Sequence, residues 1–406
     1  MVTFIKLAWR NLWRNRRRTL ITILAIVFAV VLAVLMKAIN MGSYELMIDR
    51  MVSFSTGYVQ VQDYRFDDEP SLDNTFYYDE SLRNRILDSD HRIAEAAPRI
   101  ETFMLAANEV ATRGTMVLGV NPGLEHQFNE IKNYVSEGTF FDIGQNTAVI
   151  GRGLANRLEL SVGDTLALIG QGRFGMSASG LFEISGLIDH PVIDMNNSIV
   201  YLPLDAAQEL LSAEGYVTSV VVMIANERHT NAVASAIRGN LNDDELVVYT
   251  WPELLPEILD LMEMDLAVPR LLTVVLYIVI GFGFFGTILT MTMERLREFG
   301  VLLSVGMKRR YLSVVLFVET VLISSIGVAA GIILSYLILI LIDPITLTGD
   351  AAQAVVDLGY DPIIPMSFAA DQFYTQGLFV FFIAMVVFLF PLLKIKNLNI
   401  LEAARS

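Results

Sequence analysis

Four stretches of the chain are long and apolar, and the polar segments are arranged around them. Residues 19–36, 271–293 and 372–393 carry no charged side chain, and residues 311–342 carry one, Glu319. A helix that crosses a bilayer needs about 20 apolar residues, so each run predicts a transmembrane helix. A soluble core has no use for so many fully apolar windows. Between the first two runs lies a polar segment long enough to fold by itself. Alternating positions predict strands over Gly57–Gln62, Thr115–Val120, Thr165–Ile169, Leu181–Ile188, Val217–Ile224 and Leu246–Tyr249. Helical spacing predicts helices over Glu80–Ala96, Gly153–Leu160, Leu204–Leu211 and Thr230–Leu241. The segment reads as one mixed α/β domain, with no internal repeat and no Pro/Gly linker.

The distribution of basic residues orients this pattern. Lys6, Arg10, Arg14, Arg16, Arg17 and Arg18 precede the first run. Arg295, Arg297, Lys308, Arg309 and Arg310 lie between the second and third, and Lys394, Lys396 and Arg405 follow the fourth. Residues 343–371 contain no Lys or Arg but five Asp. The expectation is therefore a cytoplasmic interfacial helix over 1–18, spans at 19–39, 270–293, 311–342 and 372–393, and a large external domain over 40–268. A cytoplasmic loop at 294–310, an external loop at 343–371 and a cytoplasmic tail at 394–406 complete it. Arg17 and Arg18 ahead of an apolar run also fit an export signal. Residues 4–18 read better as an interfacial helix, because Trp9 and Trp13 share one face among basic residues. The net charge of −15 argues against nucleic acid as a partner. With no cysteine, the external domain depends on its core rather than on disulfides.

Candidate chemistry is sparse. Gly170, Gly172 and Gly175 fit a dinucleotide-binding spacing, but a second strand rather than a helix is expected after them. A flexible hairpin loop over Gly170–Gly180 is the better reading. No phosphate-binding P-loop pattern occurs. His91, His126, His190 and His229 have no metal-ligand spacing. No nucleophile set can be assembled, so no catalytic residue, cofactor site or metal site is expected on this chain.

Glu319 is costly within a span, and is either functional or bonded to a neighbouring helix or to the basic cluster. Gly327 and Gly331 form a small-xxx-small pair that admits close approach of another helix, within the chain or from a second copy. Between the second and third runs, Leu296, Phe299, Leu302 and Leu303 are spaced to share one helical face, and Gly306 offers a stop. A helix of this kind suits transmission of force from a soluble partner.

The stretch Glu294-Arg295-Leu296-Arg297-Glu298-Phe299-Gly300, continuing to Gly306, resembles the E-R-x-x-E-[IF]-G-x-L-x-x-[IVL]-G signature of MacB/FtsX-type ABC transporter permeases. Residues 8–19 resemble that family's N-terminal helix, and 397–405 its tail, with Ile400 in place of Pro. Residues 149–164, 194–211 and 250–254 look most like the lipoprotein-releasing LolC/LolE kind.

This resemblance implies an α-helical membrane protein with four transmembrane helices and a large mixed α/β extracytoplasmic domain, porter-like with an inserted β-rich subdomain. It implies a non-catalytic subunit of the bacterial inner membrane, with both termini cytoplasmic and the large domain periplasmic. ATP and Mg would bind a separate cytoplasmic ATPase dimer, and Glu294, Arg295, Arg297, Glu298, Gly300, Gly306 and Lys308 would couple to it. A second permease copy, membrane lipids, lipoprotein cargo and a periplasmic chaperone are the other implied partners. The loop corresponding to a chaperone-recruiting hairpin, Gly170–Gly180, is short. Three activities fit the resemblance: lipoprotein release, MacB-like export of peptides, toxins or drugs with a periplasmic adaptor, and FtsX-like signalling to a cell-wall hydrolase.

Overall fold

The computed structural model describes residues 2–14, 16–224, 226–241, 243, 245–357 and 362–396. The expected tail signature at 397–405 lies outside them. The chain divides into two compact units, Met1–Leu46 with Leu261–Gln353 and Pro362–Ser406, and Met47–Asp260 with Ala354–Asp361.

The first unit is helical. Its main helices are α1 (Val2–Arg14), α2 (Arg16–Phe54, of which residues 16–46 belong to this unit), α3 (Ala267–Glu294), α4 (Leu296–Ser304), α5 (Arg309–Ile342) and α6 (Ala370–Lys396). Among the described residues, four helices are long and apolar enough to cross a membrane: those over Thr19–Phe54, Pro256–Glu294, Arg309–Ile342 and Ala370–Ile395. Expected boundaries move at the start of the chain. The interfacial helix ends at Arg14, so Arg16 and Arg17 open α2 instead. The helix of the first span runs to Phe54 rather than stopping at 39, because residues 40–54 contain neither Pro nor a glycine-rich break.

Apolar side chains of α2, α3, α5 and α6 share one core that includes Ile26, Val30, Phe284, Ile323, Val380 and Ala384. Gly327 and Gly331 of α5 lie against α2. A Cβ at Gly327 would come within 2.7 Å of Ile26 Cγ2, and one at Gly331 within 2.7 Å of Val30 Cβ. The small-residue pair therefore serves packing inside the chain. Gly283 and Gly286 of α3 face open space instead.

The second unit is built on one ten-stranded sheet. Its strands are β1 (Val59–Asp63), β2 (Ile93–Ala107), β3 (Thr112–Val120), β4 (Val135–Gly138), β5 (Thr147–Gly151), β6 (Thr165–Gln171), β7 (Ser177–Ile188), β8 (Ile199–Pro203), β9 (Ser219–Ile224) and β10 (Leu246–Thr250). Six of them close on themselves in the order β2-β3-β8-β5-β7-β6, with β6 returning to β2 through Leu105 opposite Ile169. This small barrel is filled by side chains, among them Ile100, Met104, Leu166, Leu168, Phe182 and Val200. The first half of β2 pairs instead with β9, and β9-β1-β10 extend the sheet as an open antiparallel wing. The wing packs Val59, Val61, Val220 and Val222 under helices Glu80–Leu87 and Thr230–Leu241.

The 15-residue β2 belongs to both parts, and it corrects the predicted helix Glu80–Ala96. That helix ends at Leu87, and residues 93–96 are strand. Pro98 fits because the β3 ladder begins only at Arg99, so its missing N–H is not needed on that side. The hairpin after β6 is also tighter than the predicted loop over 170–180, since pairing continues to Gln171 opposite Ser177.

Candidate coupling site

The connection between α3 and α5 contains one helix, α4, bounded by two sharp features. Arg295 links it to α3. At its other end Gly306 adopts φ +100°, and Gly306 N donates to Leu303 O (3.1 Å) while Met307 N donates to Leu302 O (3.0 Å). This pair of bonds is a Schellman cap, which requires a left-handed residue where Gly is cheapest. Lys308 then precedes α5 in extended conformation. Glu294 ends α3 and Arg309 begins α5, so the non-spanning segment is shorter than 294–310.

Helix α4 is two-sided. Phe299, Gly300 and Leu303 are buried, and Phe299 and Leu303 pack with Leu312 and Ile395. Arg297, Glu298, Val301, Leu302 and Val305 face outward. Leu302 was expected on the inner face, but it follows Glu298 by one turn, on the same side of the helix, and is exposed. The outer face is thus an apolar strip of Val301, Leu302 and Val305 edged by charge.

Arg295 is turned away from that outer face: it is 3% exposed and its Nη1 lies 2.6 Å from Glu319 Oε2. Asn11 Nδ2 of α1 donates to Glu319 Oε1 at 2.8 Å. The carboxylate therefore joins α1, α5 and the start of α4. Next to it is a cavity of about 30 Å³, lined by Thr22, Thr292, Arg295, Glu319 and Thr320 together with apolar residues. Arg295 Nε and Nη2 have no hydrogen-bond partner among the described residues. The cavity is large enough for a water that could serve them. A second link on the outside ties α1 to α4, with Arg14 Nη2 2.5 Å from Glu298 Oε2. Asn11 and Arg14 were not singled out from sequence. Asn11 had a signal, since it shares a helical face with buried Ala8 and Leu12.

Elsewhere α1 exposes Trp9 and Trp13, packed edge to face with ring centroids 5.8 Å apart. An exposed aromatic pair among basic residues suits a membrane–water interface.

The second unit holds a buried polar network. Arg99 and Glu125, both almost fully buried, pair at 2.6 Å, Asn129 Nδ2 donates to the same carboxylate, and Arg99 Nη1 donates to Ser55 O. His190 lies beside it, with Nε2 3.1 Å from Tyr201 Oη and the Val192 amide donating to Nδ1 at 3.0 Å. Burial pushes the His190 imidazole down to about 4. Among the described residues no cluster of His, Asp and Glu could hold a metal ion.

Comparison with known proteins gives two family matches. Residues 19–240 match the MacB-like periplasmic core domain, and residues 270–400 match the FtsX-like permease C-terminal region. The lipoprotein-releasing system transmembrane protein LolC of Neisseria meningitidis serogroup B is 22% identical over 280 residues. The alignment covers 66% of this chain and 66% of LolC, just under two thirds of that protein's length. Among solved structures, the extracellular domain of the transporter YknZ from Gram-positive bacteria is 15% identical, covering 47% of this chain and 99% of that one, with a TM-score of 0.34. The periplasmic region of MacB from Actinobacillus actinomycetemcomitans is 10% identical, covering 50% and 94%, with a TM-score of 0.35.

Proposed function

We propose that this chain, which belongs to the MacB/FtsX-type family of ABC transporter permeases and is related to LolC, is the membrane subunit through which a separate ATPase drives release of lipoproteins from the inner membrane. Permeases of this family are non-catalytic. The observation that carries the coupling part is the division of labour around α4. Its outer strip of Val301, Leu302 and Val305, edged by Arg297, Glu298 and Lys308, offers a soluble partner an apolar centre with a charged rim. Its inner face and Arg295 are held to the bundle by Phe299, Leu303 and the Glu319 ion pair. Force applied to the strip then reaches α5 and α1 through packed atoms rather than through a loose loop.

In this reading both termini and α4 face the cytoplasm, and the sheet domain lies in the periplasm. The basic residues around α1 and α4 support that orientation. The sheet domain is the part that handles cargo. The relation to LolC supports lipoprotein as that cargo. The test is depletion of the protein followed by membrane fractionation. Acylated outer-membrane lipoproteins retained in the inner membrane support release, and normal sorting in a strain with no second such system overturns it. Export with a periplasmic adaptor is the second reading, favoured by the MacB-like core match over residues 19–240. Co-purification of an adaptor, together with normal lipoprotein sorting, would select it.

A further inference from the structure

Among the described residues, the helices Glu80–Leu87 and Thr230–Leu241 cover one face of the wing. Val59 and Val61 point into that covered core, so Gln60 and Gln62, which alternate with them, point to the opposite face. There they line a cavity of about 330 Å³ with Phe66, Leu72, Glu101 and Phe103, a size within the range of ligand sites. Gln60 and Gln62 are 5% and 3% exposed, and Gln62 Nε2 has no hydrogen-bond partner among the described residues. A buried donor left unsatisfied destabilises the fold and calls for an explanation.

Two further features point the same way. Glu101 and Asp67 line the same cavity. Desolvation raises the Glu101 carboxyl above the usual carboxylate range, with Arg99 opposing. At the Phe103 side the cavity meets an exposed apolar stripe on the outside of the barrel. Phe103 is 74% exposed, Leu105 is next along the same face, Ile169 is its register partner, and Leu181 is 66% exposed on the neighbouring strand.

We propose that this cavity is a binding site for an extended peptide segment carrying an apolar side chain. A peptide unit supplies, in one group, the carbonyl that Gln62 Nε2 lacks and an N–H for Glu101. Its side chain would lie between Phe66, Leu72 and Phe103. Phosphates and carboxylates are disfavoured by Glu101 and Asp67. A simple alkylammonium offers a donor but nothing for Gln62 to donate to. The inference deepens the transport reading above by naming peptide as the chemistry engaged by the sheet domain.

The test is fluorescence anisotropy of dansyl-Ala-Leu-Ala-amide, with the dansyl group on the N-terminal nitrogen, and the full chain in detergent. Saturable binding is expected, weakened roughly tenfold by Gln62→Leu and by Glu101→Leu, the loss of one hydrogen bond to a buried group. Gln62→Leu removes an unsatisfied donor, so its thermal midpoint should equal or exceed that of the parent. A merely structural glutamine would lower it. A dansyl alkylammonium of similar size should bind at least tenfold more weakly than the peptide. No saturable binding, an unchanged affinity in both variants, or equal binding of the ammonium overturns the proposal. Peptide binding and lipoprotein sorting in cells are read separately, so either can fail alone.

Discussion

Glu319 Oε2 of α5 lies 2.6 Å from Arg295 Nη1 at the head of α4, and both side chains are within 4% of complete burial. Two charges in a low-dielectric site are costly to desolvate, and their attraction offsets that cost only while both remain. Glu319→Leu should therefore destabilise the helical unit by about 3–5 kcal/mol, because it strands the Arg295 guanidinium. The double change Arg295→Met with Glu319→Leu should return the thermal midpoint close to the parent value. Coupling of this kind is read from a double-mutant cycle on the purified full chain. Additive losses from the two single changes would show that the pair is not an energetic unit.

Close packing of α5 on α2 sets a second expectation. Gly331→Val must displace Val30, whose Cβ lies 2.7 Å from the position of the new one, and should cost about 1–3 kcal/mol as overpacking. Gly283→Ala meets nothing within 4 Å, and should leave stability unchanged or slightly raised. Thermal unfolding of the two variants side by side distinguishes a packed glycine from an idle one.

The His190 imidazole, lowered to about 4 by burial, gives the second unit a pH-dependent limb. The folded protein binds its proton less readily than the unfolded chain, whose His titrates near 6.5. Stability from this group is thus complete above about pH 6.5 and is lost as pH falls towards 4, by roughly 3 kcal/mol. His190→Gln should flatten the stability profile between those limits while keeping a hydrogen-bonding group near Tyr201. Urea unfolding from pH 4 to 7, followed by tryptophan fluorescence, would reveal it. An identical slope in the variant would assign the limb to other groups.

Much of the helical unit was legible because spanning helices announce themselves by length and apolarity. The sheet was harder. Strand β2 (Ile93–Ala107) is rich in Ala and Glu and contains Pro98, so local preference favours helix over its first residues, and only pairing with β9, β3 and β6 makes it a strand. Strands β5 and β8 are buried throughout most of their length and show no alternation to detect. In the α4 region, composition gave the basic cluster but not its directions. Arg295 and Arg297 are two residues apart, so one turns into the bundle while the other faces out. Which of them finds Glu319 depends on how α3 and α5 pack. Asn11 was invisible as a partner because 308 residues separate it from that carboxylate.

The proposed coupling role of α4 is most directly tested by ATP turnover of the complex reconstituted with the ATPase that the proposal requires. Val301 is 51% exposed and packs in no core cluster, so Val301→Glu should leave the thermal midpoint of the chain unchanged. Placing a charge in the centre of the apolar strip should nevertheless lower permease-stimulated turnover by roughly tenfold or more, the effect of losing a central interface contact. Stimulated turnover equal to that of the parent, at equal stability, would contradict α4 as the surface that receives the ATPase.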